Sequence, residues 1–161
     1  MSCIFCNNTS PKLFENKHAY SLLSFSPASP GHFLTISSRH VTALSQRRGD
    51  ELSGLFLCLD KSFTELNRII KEDRDFFSEF YNRLVENPPF IYSEEYSEKN
   101  KSCLQKMLEM CADLPEPFSY NMGMNMGRGA GQRESHIHLH VIPRCGEGLG
   151  IVNAMRNMLL K

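Results

Sequence analysis

Residues 136–142 read His-Ile-His-Leu-His-Val-Ile. Imidazole and aliphatic side chains alternate, and only extended backbone sends successive side chains to opposite faces; a helix would spread the three rings around its surface. The segment 135–142 therefore reads as a strand. His136, His138 and His140 share one face, about 7 Å apart along the chain, while Ile137, Leu139 and Val141 share the other and can pack under helices. The whole chain holds 6 histidines, so three on one short wall need a reason. Imidazole is the side chain best able to act as nucleophile, proton donor or metal ligand near neutral pH. Two plainer readings stand beside that one: an edge strand whose solvent face happens to carry histidine, and a cluster that serves metal alone.

The residues just upstream favour more than metal. Gly-Arg-Gly-Ala-Gly-Gln (127–132) opens a glycine-rich loop (126–134) whose backbone N–H groups can approach an anion. Most glycine-rich loops are only turns, but this one delivers the chain to the histidine strand.

Elsewhere, residues 19–25 form an apolar run closed by Ser-Pro-Ala-Ser-Pro-Gly, and 32–37 read as a strand. From Asp50, a good N-cap, to about Lys71, apolar residues at 52, 55, 56, 59, 63, 66, 69 and 70 mark a long helix with one buried stripe. Residues 75–87 repeat the pattern up to Pro88-Pro89, which cannot continue a helix. The polar stretch 91–101 reads as a solvated loop, and 102–114 as a third helix. A strand is expected over 118–125, and an amphipathic helix from 149 closes the chain. Strands and helices without steady βαβ alternation give an α+β fold with an antiparallel sheet.

A length of 161 residues suits one domain, 1–161. The 18 basic and 18 acidic residues balance, so no general affinity for nucleic acid or a membrane surface is expected. The N-terminus lacks signal-peptide character and no apolar window is long enough to span a bilayer. With 6 cysteines and no secretory signal, reduced thiols or metal ligands in a cytoplasmic protein are expected.

The chain resembles the histidine triad (HIT) superfamily of nucleotide hydrolases and transferases. His136–Ile142 satisfies the signature His-φ-His-φ-His-φ-φ, with φ apolar. Residues 125–136 (NMGRGAGQRESH) resemble the family's Asn-x-Gly…Gly-Gln…His run, and 24–41 (SFSPASPGHFLTISSRHV) its Pro-x-x-Pro-x-His-φ-Leu segment and closing basic-His pair. The likeness covers about residues 2–70 and 118–145, and Cys3-x-x-Cys6 is similar to the cysteine pair of the Hint-like branch.

The resemblance implies a HIT-like sheet of about five strands with a long helix packed on it, interrupted here by a helical insertion at about 73–114 that compact members lack. It implies cleavage at the α-phosphate of a purine nucleotide conjugate: a phosphoramidate, an adenylylated compound or a dinucleoside polyphosphate. His138 would be the nucleophile, oriented by the backbone carbonyl of His136, with a nucleotidyl-histidine intermediate that water then cleaves. His140 would hydrogen-bond the phosphate or leaving group, while Asn125, Gln132 and the backbone at Gly131 stabilise charge on the phosphoryl oxygens. Ile4, Phe5, Leu22, Leu23 and Phe25 would wall the base. Ser24 stands where relatives place Asp or Asn for the ribose, and Arg133 where they place Ser or Thr beside the leaving group. Homodimerisation through the long helix and a neighbouring strand is also implied.

Cys3-x-x-Cys6 alone is ambiguous between redox and metal chemistry. Cys58, Cys103, Cys111 and Cys145 form no second pair, and the resemblance supplies His40 and His136 as the remaining ligands of a structural zinc. His18 and His32 read as non-ligands. Two rival functions remain: a catalytically weak nucleotide-binding regulatory dimer, and a zinc-stabilised interaction module.

Overall fold

The computed structural model describes residues 3–73, 75–87, 94–111, 119–144, 150–153 and 156. Five antiparallel strands form one sheet: β1 (Phe14–Glu15), β2 (Ala19–Leu23), β3 (Phe33–Ser37), β4 (Ser119–Gly123) and β5 (His138–Arg144), in the order β1-β2-β3-β5-β4. Between β3 and β4 the chain forms α1 (Gly49–Glu72), α2 (Asp75–Glu86) and α3 (Glu94–Met110). The fold is thus α+β, with a long helix on the sheet and a helical insertion after it.

The two faces of the sheet follow from strand periodicity. Ala19, Ser21, Leu23, Phe33, Thr35, Leu139 and Val141 lie on one face, which α1 covers. Tyr20, Leu22, Leu34, Ile36, His138 and His140 lie on the other. The larger core runs from Leu23, Phe33, Leu139 and Val141 through Leu59, Leu66, Ile69 and Ile70 of α1. It continues into Phe77, Tyr81 and Leu84 of α2 and Leu104 and Met107 of α3. The insertion is therefore part of the main core.

The α1 stripe differs from expectation at its edges. Phe56 is 57% exposed, while Gly54, Cys58 and Ser62 are buried. Small side chains let α1 approach the strands closely: a Cβ on Gly54 would stand 2.7 Å from His18 Cβ. Asn16 completes this contact by donating to the Gly54 carbonyl at 2.8 Å. Overpacking of this kind costs about 1–3 kcal/mol. Asp50 lies in the first turn and does not cap α1; Glu51 accepts the Arg48 backbone N–H instead, at 3.0 Å.

Three further boundaries are corrected. The expected loop at 91–101 is helical from Glu94, its charged residues forming the start of α3. β5 begins at His138, two residues after the triad starts, because the Ile137 N–H donates to the Val41 carbonyl outside the ladder. It runs on through Pro143, whose missing N–H costs nothing because pairing with β3 has ended at Val141. The expected stops at Pro88-Pro89 and after Leu114, the strand start at Phe118, and most of the closing helix lie outside the described residues; 151–153 and 156 are helical.

Candidate active site

The register of β5 against β3 sets Ile36 opposite His138 and Leu34 opposite His140. Both rings thus stand on the face away from α1. The Phe5 ring packs against His138, their centroids 5.0 Å apart, and stands 5.9 Å from that of His136. It belongs to a small apolar cluster with Tyr20, Leu22, Leu34 and Ile36, against which Ile4 packs. His138 is 8% exposed and His140 half-buried.

Hydrogen bonds assign the tautomer of each ring. The His136 carbonyl can only accept, so His138 Nδ1, 2.8 Å away, carries the proton and Nε2 keeps its lone pair. The Ala28 N–H donates to His32 Nδ1 at 3.0 Å, which leaves the proton on His32 Nε2. His32 Nε2 lies 3.1 Å from His140 Nδ1 and donates to it, so His140 Nε2 in turn carries a proton. The result is a lone pair on the middle ring beside an N–H on its neighbour, the ring centroids 4.8 Å apart. One ring thus offers the lone pair that a nucleophile needs, and the other an N–H to donate.

Burial keeps His32 and His140 neutral. It pushes His140 down to about 4, with the nearby His138 adding to the effect. Burial, then His140 and His138, push His32 down to about 3. A donor that stays neutral donates in one direction only, which is what the chain of tautomers requires. His32, read as a non-ligand, lies outside the cysteine–histidine cluster, but its hydrogen bond to His140 was not foreseen. Its signal was present in the Pro-x-x-Pro-x-His segment, where the histidine follows a turn that can aim it.

His136 belongs to a different constellation. Its ring is fully buried, and Nε2 donates to the Ser37 carbonyl at 2.9 Å. Nδ1 is left as a lone pair 3.4 Å from Cys3 Sγ and 3.7 Å from Cys6 Sγ. His40 Nδ1 lies 3.3 Å from Cys6 Sγ. The four ligand atoms of Cys3, Cys6, His40 and His136 all fall within 4.8 Å of one another. A tetrahedral ion with bonds of about 2.0–2.3 Å needs ligand atoms roughly 3.3–3.8 Å apart, so the three close distances match the edges of such a site. The cluster can hold a metal ion. Arg39 secures the segment bearing His40 through two hydrogen bonds to Glu51, each 2.7 Å, and the Arg39 guanidinium holds Glu51 down at about 2.

The HIT domain model matches residues 6–147. The chain belongs to the HIT family. No curated protein sequence matches it. Among solved structures it is similar to a histidine triad nucleotide-binding protein from Candida albicans, at 25% identity, TM-score 0.53, covering 99% of this chain and 95% of that one. A HIT family protein from Bacillus anthracis is similar at 22% identity and TM-score 0.52, covering 98% and 90%. A hypothetical protein from Leishmania major is similar at 18% identity and TM-score 0.53, covering 98% and 92%.

The remaining expected residues of this HIT protein are placed unevenly. Ile4, Phe5 and Leu22 gather on the histidine face, but Leu23 does not. One residue along a strand reverses the face, and Leu23 is buried beneath α1. Phe25, beyond the end of β2, leans toward the insertion and stacks on Phe80 of α2. Ser24 is buried, and its Oγ accepts the Ser26 N–H at 3.2 Å. Asn125 and Arg133 are exposed. The glycine loop folds on itself as a short 3₁₀ turn: Gln132 Oε1 accepts the Gly127 N–H at 2.7 Å, and Gln132 N–H returns to the Gly127 carbonyl. Gly131 supplies φ +83, the left-handed conformation that the loop needs before it enters the triad.

Proposed function

We propose that this HIT protein cleaves purine nucleotide conjugates at the α-phosphate, as a phosphohydrolase or nucleotidyltransferase working through a nucleotidyl-histidine. The observation that carries the reading is the hydrogen bond from His138 Nδ1–H to the His136 carbonyl, which leaves the His138 Nε2 lone pair on the face that Phe5 covers. A neutral imidazole held in one tautomer is a competent nucleophile without any external base. Nε2 attacks the α-phosphorus, the bond to the leaving group breaks, and the imidazolium charge faces the His136 carbonyl oxygen. The His140 Nε2–H hydrogen-bonds the departing group, which takes up a proton from solvent where it leaves as an amine. Water then attacks phosphorus and returns a proton to solvent, the P–N bond breaks, and nucleoside monophosphate leaves with His138 neutral again.

Asn125, Gly131, Gln132 and Arg133 would surround the phosphoryl oxygens and leaving group, and Ser24, Ile4, Phe5 and Phe25 the nucleoside. Zinc is the metal that a tetrahedral Cys₂His₂ set fits, and Cys3, Cys6, His40 and His136 would hold it. It would be structural. By fixing the His136 ring it would steady the neighbouring carbonyl that orients His138. The exposed pair Phe56 and Leu57 on α1, with Tyr120 and Met122 on the edge strand β4, supports association as a homodimer.

The deciding experiment is release of AMP from adenosine 5′-phosphoramidate by wild type and His138→Ala. Turnover lost in a variant that keeps its melting temperature is the expected result. Undiminished turnover would dispose of the mechanism, and tight AMP binding by a wild type that turns nothing over would favour the regulatory dimer.

A further inference from the structure

Tyr20, Ile36 and His138 form one cross-strand row: Tyr20 of β2 stands opposite Ile36 of β3, which stands opposite His138 of β5. All three side chains share the histidine face, and Tyr20 lies two strand spacings from His138, about 10 Å. Phe5 spans that gap. Its carbonyl accepts the Tyr20 hydroxyl at 2.5 Å, and its ring packs against His138, the centroids 5.0 Å apart and the planes tilted by 59°. Phe5 and Tyr20 are both buried.

Phe5 lies in a turn closed by the Cys6 N–H, which donates to the Cys3 carbonyl at 3.2 Å. The two ends of this turn rest on the cysteine–histidine cluster, with Cys3 Sγ 3.4 Å from His136 Nδ1 and Cys6 Sγ 3.3 Å from His40 Nδ1. Tyr20 holds the middle. Apolar packing alone does not call for a tyrosine there, since Leu22, Leu34 and Ile36 fill the same cluster without a polar side-chain atom. A buried phenol needs an acceptor, and this one takes the carbonyl of the residue whose ring touches the middle histidine.

The consequence falls on the His138 ring. The last torsion of a histidine is soft, and a half-turn about it exchanges Nδ1 with a carbon. The His136 carbonyl holds one edge of the ring through Nδ1–H, and Phe5 packs against the ring itself. Freed from Tyr20, Phe5 would leave that torsion less confined, and ring orientations and tautomers would mix.

We propose that Tyr20 is a positioning residue for His138, its hydroxyl fixing the Phe5 peptide so that the Phe5 ring confines the imidazole. That His138 is the nucleophile rests on the nucleotide reading above; the placement of its ring does not.

The test reads the ring first and the reaction second. Nitrogen-15 NMR of the substrate-free protein distinguishes a protonated from an unprotonated imidazole nitrogen, with His138→Ala identifying the signals. The variants are Tyr20→Phe, Phe5→Leu, the two combined, and Ser21→Ala. Ser21 adjoins Tyr20 on the opposite face, its hydroxyl 2.9 Å from Thr35 Oγ1, so its variant reports the cost of losing a buried hydroxyl from β2. Tyr20→Phe and Phe5→Leu should each draw the two His138 nitrogen shifts together. Each should also lower kcat for adenosine 5′-phosphoramidate about two- to tenfold, the worth of one hydrogen bond, with KM moving less. The double variant should be no worse than Phe5→Leu, because Tyr20 acts through that ring. Ser21→Ala should leave shifts and kcat alone. Wild-type shifts in Tyr20→Phe, additive losses in the double variant, or the same changes from Ser21→Ala would overturn the inference. A wild type that releases no AMP while the variants shift the ring signals as expected would sink the nucleotide reading and leave the hold of Tyr20 on His138 standing.

Discussion

His32 Nε2 lies 3.1 Å from His140 Nδ1, although 108 positions separate the two residues. That bond transmits the Ala28 N–H to the active face: each imidazole accepts on one nitrogen and donates from the other, so a single backbone amide selects the protonated nitrogen two rings away. Without His32, no other hydrogen bond among the described residues obliges His140 to carry its proton on Nε2.

His32→Ala should therefore lower kcat by about ten- to a hundredfold, the worth of a hydrogen bond to a charged group, with a smaller effect on KM. His32→Gln, which keeps an amide donor, should recover part of the loss. Steady-state kinetics on the adenosine substrate decide this; an unchanged kcat in the alanine variant would remove the relay.

Acid should destabilise the protein in a definite window. His32 titrates at about 3 and His140 at about 4 in the native state, both below the ordinary histidine value near 6.5. Below that ordinary value the unfolded chain binds protons that the native chain refuses, so stability is level above about pH 6.5 and falls as the pH drops from there toward 4. Melting temperature measured from pH 7.5 to 5 should decline, and His140→Asn should flatten the decline. A variant with the wild-type slope would show that other groups set it.

Metal removal should act through the fold. Free zinc at about a hundredfold above its dissociation constant adds about 2.7 kcal/mol of stability by mass action. A strong chelator should lower the melting temperature of wild type and leave Cys6→Ser unmoved. Glu51→Gln, which weakens the hold on Arg39 and so on His40, should reduce zinc affinity about 10–100-fold. Equal zinc content in Cys6→Ser and wild type, read by elemental analysis, would rule out the four-residue site.

Charge placed on the exposed apolar surface should separate protomers. Leu57 is 52% exposed on α1 and Met122 41% exposed on β4. Leu57→Glu and Met122→Glu should each shift the protein from dimer to monomer in sedimentation, at little cost to monomer stability. A wild type that already sediments as a monomer would refute the dimer.

Much of the active strand was legible before any coordinates. Alternation between histidine and aliphatic residues dictates extended backbone, because no helix can sort those side chains onto two faces, and it placed His138 and His140 side by side. The long helix was legible for a similar reason, although Phe56 was misread as core because hydrophobic spacing says which face is apolar and not how far the buried zone extends. His136 was the limit of that reasoning: strand periodicity grouped it with the other two rings, while its ring turns instead to the two cysteines near the N-terminus.

Residues whose placement depends on distant chain were decided by tertiary structure alone. Nothing local joins His32 to His140, Glu51 to Arg39, or the insertion to Phe25; sheet order and helix docking bring them together. Local sequence determines backbone conformation through sterics and periodicity, and with it the chemistry one strand can display. Partners across the molecule are chosen by packing, since only the assembled core fixes which donor reaches which acceptor.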